Sequence, residues 1–180
     1  MGYAQRHPGV IKGMIMMNCT LNIREGGTPA ILKACEFLGV TDTRPYLDES
    51  IPLPDRMSKA NGELRRKDLW WKMGYASHKS IEMMNKSFEE IPFNHEFENL
   101  SIPPEYLEDF KHLTPEMGMP VLFFYGKTDW MVGPEHYKGV EFPEMILWGS
   151  NVGHVPFMEN KEDLEKAIIT YVNKYDESVK

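Results

Sequence analysis

Two polar groups in this sequence stand where chemistry could be done. Asp129 follows the apolar run Val121-Leu122-Phe123-Phe124-Tyr125 by way of Gly126-Lys127-Thr128, and His154 follows Glu144-Met145-Ile146-Leu147-Trp148 by way of Gly149-Ser150-Asn151-Val152-Gly153. Singly, an Asp behind a strand is often a turn or cap residue and a loop His often lies on the surface. Behind two adjacent parallel strands, the carboxylate and the imidazole reach the same end of a sheet, where open α/β folds place their sites. A carboxylate that holds one ring nitrogen leaves the other free to take a proton from a hydroxyl, so the pair suits a general base with its orienting acid.

Such a pair needs strands and covering helices to position it. The run Val121 to Tyr125 is apolar at every position, which suits a parallel strand buried on both faces; Gly13-Met14-Ile15-Met16-Met17 reads as a third strand. The expected class is therefore α/β. Leu164, Ala167, Ile168, Tyr171, Val172 and Tyr175 repeat at helical spacing behind an Asn160 start, and Gly2 to His7 read as the end of another helix, stopped at Pro8-Gly9. A helix signal also stands at Gly133-Pro134-Glu135. Between the first and second strands the signals are helical: Ala30 to Leu38, Arg65 to Met73, Ser77 to Ser87 and Glu105 to Phe110. Pro52-Leu53-Pro54 and Ile91-Pro92-Phe93-Asn94 read as connectors.

Composition removes several function classes. The chain has 180 residues and a net charge of -7 without a stripe of Lys and Arg, so nucleic acid is not an expected partner. No apolar run approaches a bilayer span and the first residues lack a signal-peptide core, so a membrane is not expected and a cytoplasmic location is. Cys19 and Cys35 form no Cys-x-x-Cys motif and the six His no His-Glu-x-x-His, so neither a disulfide framework, a metal nor another cofactor is expected.

The segment Phe123-Phe124-Tyr125-Gly126-Lys127-Thr128-Asp129, with Val132-Gly133-Pro134-Glu135 behind it and Gly153-His154-Val155-Pro156-Phe157-Met158-Glu159 after that, resembles the end of an α/β-hydrolase of the proline iminopeptidase group. At the front, Tyr3 to Pro8 through Met17-Asn18 is similar to that family's helix after the nucleophile and its sixth strand. The resemblance implies a partial α/β-hydrolase fold: about three parallel strands with flanking helices and a helical cap. Its divisions are residues 1–20 (end of the nucleophile helix and sixth strand), 21–117 (cap) and 118–180 (last part of the core). It also implies Asp129 as the triad acid and His154 as the base.

The family's nucleophile stands in Gly-x-Ser-x-Gly, in the chain order Ser, acid, His. No serine here lies two places after a glycine. The resemblance puts that elbow just before Gly2, and with it the oxyanion hole, so the chain alone is expected to lack activity. Gly13 to Met17 would then form an unpaired apolar edge, and self-association through it is expected.

The cap would set specificity. Trp70, Trp71, Tyr75, Met83, Met84 and Phe88 suit either an apolar pocket or plain core, and Glu82, Glu89 and Glu90 either an amine-binding cluster or a solvated face. Three readings remain open: part of a serine hydrolase of aminopeptidase or esterase type acting on a small molecule, peptide or ester; a non-catalytic remnant or binding module; and another branch of the fold, such as a carbon-carbon hydrolase or lipase-like esterase.

Overall fold

The computed structural model describes residues 1–91 and 104–175. Three strands form one parallel sheet in the order β1 (Met14–Met17), β2 (Val121–Gly126), β3 (Met145–Ser150), with Met14 beside Val121 and Val121 beside Met145. The fold class is α/β. The central strand behaves as its composition requires: Val121, Leu122, Phe123 and Phe124 expose no surface. Successive side chains leave opposite faces. Val121 and Phe123 join Ala4 of α1 (Gly2–Arg6), Met16 and Phe142, whereas Leu122 and Phe124 pack on Leu164, Ala167 and Tyr171 of α8 (Lys161–Tyr175).

Helix α8 starts where its sequence signals, with Asn160 Oδ1 accepting the Asp163 amide at 3.1 Å and two acidic residues in the first turn. Before it lies the single turn α7 (Pro156–Glu159).

Between β1 and β2 run α2 (Ile23–Leu38), α3 (Arg44–Leu47), α4 (Leu53–Arg66), α5 (Trp71–Gly74) and α6 (His78–Glu90). Ile31, Ala34 and Cys35 of α2 meet Leu53, Ala60 and Leu64 of α4 and Met73 of α5 in a cluster of their own. This helical group thus buries its apolar faces against itself and against Trp130 and Met131 of the loop after β2.

Several boundaries differ from the sequence expectation, each for a local reason. The helix expected from Ala30 begins at Ile23, because Asn22 caps it by accepting the Arg24 and Glu25 amides. Gly26, Gly27 and Pro29 lie inside that helix, and it ends in a left-handed Gly39 (φ 69). Pro52-Leu53-Pro54 is not a connector but the start of α4, since a proline in the first turn forgoes only an amide that has no helical partner. The helix expected over Arg65 to Met73 is two pieces: α4 stops at Arg66, Asp68 turns to φ 54, and α5 resumes at Trp71.

Ser77 proves to be a cap, accepting the Ser80 amide at 3.3 Å, and α6 continues to Glu90. Instead of one helix over Glu105 to Phe110 there are two 3-10 turns, Pro104–Leu107 and Lys111–Glu116. Gly133-Pro134-Glu135 opens a series of turns between Gly133 (φ 84) and Gly139 (φ 72), not a helix. The third strand runs two residues further than expected, to Ser150. Of the expected connector at Ile91 to Asn94, residues 92–94 lie outside the described residues. Among the described residues no helix is long and apolar enough to cross a membrane.

Candidate active site

Asp129 and His154 meet. Asp129 is fully buried, its Oδ2 stands 2.9 Å from His154 Nδ1, and its Oδ1 accepts the Met131 amide at 3.0 Å. An ionised carboxylate only accepts, so Nδ1 carries the proton and Nε2 of a neutral ring is left with its lone pair. The His154 side chain is about one third exposed. Its hydrogen bond to Asp129 raises its pKa above the ordinary histidine value, against the opposing effect of burial.

The strand register brings the two loops together. Gly126 pairs with Ser150 at the ends of β2 and β3, and the pairing persists beyond them as Lys127 donates to the Ser150 carbonyl at 2.8 Å and Thr128 to that of Val152 at 3.2 Å. Gly126 must be glycine here, because a Cβ would strike the carbonyls of Val152 and Gly153. Asn18, buried just past β1 at φ 45, locks the arrangement from the other side: its Oδ1 accepts the Gly126 amide at 2.6 Å and its Nδ2 donates to the Gly153 carbonyl at 2.7 Å.

The helical group reaches the same point. Met73 O accepts the Trp130 amide at 2.8 Å and Gly74 O the His154 amide at 2.6 Å, so α5 holds both loops by their backbones. Gly153 allows this approach, since a Cβ there would collide with the backbone of Gly74. Glu159 ties the same parts again, accepting from Gly153 at 2.5 Å and from Ala76 at 2.7 Å. The sequence reading missed Asn18, Gly74 and Glu159 as positioning residues. Short polar residues next to strand ends and glycines next to the candidate His were the available signal.

Of the other candidates, Tyr75 follows Gly74 at the close approach to Gly153, and Trp70 lies beside residues of the Asp129 loop. Trp70 lines a cavity of about 280 Å³ with Met57, Met73, Trp130 and Met131, and the Arg65 guanidinium lies 4.1 Å from its ring centre. Trp71 and Tyr75 make edge contacts with His78 and Trp70, while Met83 and Phe88 are largely exposed. Glu82 pairs with His78 at 2.9 Å on the surface, Glu89 is exposed, and the side chain of Glu90 lies outside the described residues. Burial pushes the thiols of Cys19 and Cys35 up, which keeps both protonated. Among the described residues, none brings a hydroxyl or thiol into hydrogen-bond contact with His154, and no group of three or more acidic, His or Cys residues could hold a metal.

No protein-family model matches this sequence, and no curated protein does. Solved structures do match. The proline iminopeptidase-related protein from Thermus thermophilus superposes with a TM-score of 0.63 at 12% identity, over 96% of this chain and 59% of that one. VinJ gives 0.54 at 16% over 97% and 61%. The proline iminopeptidase of Mycobacterium smegmatis gives 0.52 at 13% over 99% and 62%. At such identities the likeness is one of fold alone, and this chain spans less than two thirds of the length of each.

Proposed function

We propose that Asp129 and His154 are the acid and base of a hydrolase of the proline iminopeptidase-like branch, and that the nucleophile they serve is not one of this chain's serines. The observation that carries this reading is the 2.9 Å bond between a fully buried carboxylate and a partly exposed imidazole at neighbouring parallel strand ends. In that role His154 Nε2 takes the proton of a nucleophilic hydroxyl, while Asp129 fixes the tautomer and stabilises the imidazolium that forms. The nucleophile then attacks the carbonyl of a peptide, amide or ester, His154 passes the proton to the amine or alcohol that departs as the C–N or C–O bond breaks, and the acyl group is released as a carboxylic acid by water that the neutral ring deprotonates in turn. The substrate class rests on the fold likeness to the two iminopeptidase-named structures and on the apolar walls around Trp70. A small substrate with an apolar group fits both.

The test has two arms. The purified chain should turn over p-nitrophenyl esters and a proline arylamide no faster with His154 than with His154→Ala. The same chain joined to a segment that supplies Gly-x-Ser-x-Gly next to β1 should gain hydrolysis that both His154→Ala and Asp129→Asn remove. Ester turnover by the unjoined chain that disappears in His154→Ala sinks the claim that the nucleophile is not one of this chain's serines, and a joined protein indifferent to both substitutions sinks the claim that Asp129 and His154 are the acid and base.

The second reading, a non-catalytic binding module on the same fold, is favoured by one observation: among the described residues nothing donates a hydroxyl to His154. A joined protein that folds, binds the arylamide and does not cleave it would support it. We also propose that the chain associates with copies of itself through the free edge of β1, as a two-fold dimer with a continued sheet or by another covering contact, and that the protein works in the cytoplasm.

A further inference from the structure

The cavity of about 280 Å³ beside Trp70 shares a wall with the candidate active site. Met131, which lines it, donates its amide to Asp129 Oδ1 and lies against Gly74, where the Cβ of His154 also approaches. Apart from Asn61 and Arg65, the lining is aliphatic, Met and Trp side chains. An apolar cavity of about 150 Å³ is enough to take benzene, so one ring or branched alkyl group fits here.

Asn61 and Arg65 stand four residues apart on α4 and so share a face of that helix. Both also line a neighbouring cavity of about 710 Å³, where the starts of α2 and α4 meet the turn Pro104–Leu107. The Arg65 guanidinium rests against the Trp70 ring, which holds a long side chain in place. Among the described residues no carboxylate pairs with that guanidinium, and neither it nor the Asn61 side chain makes a hydrogen bond. No Asp or Glu lines either cavity, although the chain has 27 of them against 20 Lys and Arg. Arg65 is exposed, so a ligand can reach it. A planar cation and an amide donor beside apolar walls, with no counter-charge of their own, complement a carboxylate that carries an apolar group.

We propose that Arg65 and Asn61 hold the carboxylate of a small ligand whose apolar group lies in the cavity beside Trp70, which makes the substrate class an anionic one. The word substrate rests on Asp129 and His154 being the acid and base; the binding site itself does not.

The probes are 3-phenylpropanoate, its neutral amide, and propanoate, which lacks the ring. With the full chain labelled at arginine nitrogen, phenylpropanoate should bind saturably, about fivefold more tightly than the amide, the upper end for an ion pair open to water. It should move the Arg65 Nε resonance, identified by its loss in Arg65→Gln, and its preference should shrink in about 1 M salt. Propanoate should not saturate over the same range. Arg65→Gln should bind the two phenyl probes equally. Failure of phenylpropanoate to saturate, equal affinity for acid and amide in the wild type, a preference that survives Arg65→Gln, an unmoved Arg65 resonance, or propanoate binding as well as the phenyl acid would each overturn the site. If Arg65→Gln does not fold, the three wild-type affinities and their salt dependence still decide. In a joined protein that hydrolyses esters, phenylpropanoate should inhibit competitively; binding without competition would overturn the anionic substrate class while leaving both the site and the catalytic pair.

Discussion

At the scale of single residues, the Asp129–His154 bond has a readable sign. The ordinary histidine pKa is 6.5, and the bond to the buried carboxylate raises that of His154 in the folded chain. A group whose folded pKa exceeds its unfolded one adds stability that is complete below the unfolded value and fades as pH rises through the folded one. Asp129→Asn should therefore lower the His154 titration midpoint, followed by imidazole proton resonances. It should also flatten the decline of stability above about pH 6.5, followed by urea unfolding at several pH values. An unchanged midpoint would mean that the carboxylate does not hold the ring in solution. The same sign governs catalysis in the joined protein: hydrolysis should rise with pH through the raised His154 value, because only the neutral ring accepts a proton.

At the scale of elements, what fixes the dyad is a set of backbone bonds among β1, β2, α5 and the His154 loop. Asn18→Ala would leave the Gly126 amide and the Gly153 carbonyl unpaired in the interior, a loss of about 1–3 kcal/mol in chemical denaturation. Gly153→Ala would drive a methyl into the backbone of Gly74 and force α5 away from the loop. The expected loss is about 1–3 kcal/mol, with a displaced His154 imidazole resonance; a variant as stable as wild type with that resonance unmoved would refute the close packing. These contacts also bear on the helical group between β1 and β2. Because Met73 and Gly74 bond directly to the acid and base loops and Ala76 to Glu159, which also holds Gly153, the helices between β1 and β2 help set the orientation of His154.

At the scale of the whole molecule, β1 is an edge strand of the three-stranded sheet. Met14 and Asn18 donate to Pro120 and Phe124 of the β2 side, so by the alternation of a strand the amides of Ile15 and Met17 face away from it. Both side chains are about 40% exposed. Such an edge invites pairing. Concentration-dependent association is the expected outcome in light scattering or sedimentation, and Ile15→Lys or Met17→Lys should reduce it without lowering secondary structure by circular dichroism. A chain that stays monomeric at high concentration would remove the proposal that this edge is covered.

The class, the three strands and the chemical pair were all legible in the order of residues. An unbroken apolar run has no stable place but a covered central strand, and Asp129 and His154 follow such runs at the same end. Legibility fell where one residue type serves opposite purposes: Pro54 starts a helix, Pro29 sits within one, and Gly133 opens turns rather than a helix. It took the packed chain to reveal that Asn18, Gly74 and Glu159 hold the dyad, that Met83 and Phe88 are exposed, and that His136 is buried with one nitrogen unsatisfied. Those outcomes depend on contacts between segments up to 135 positions apart. Local periodicity fixes which face of an element is apolar, but the partner that meets a given polar atom is chosen when the elements pack.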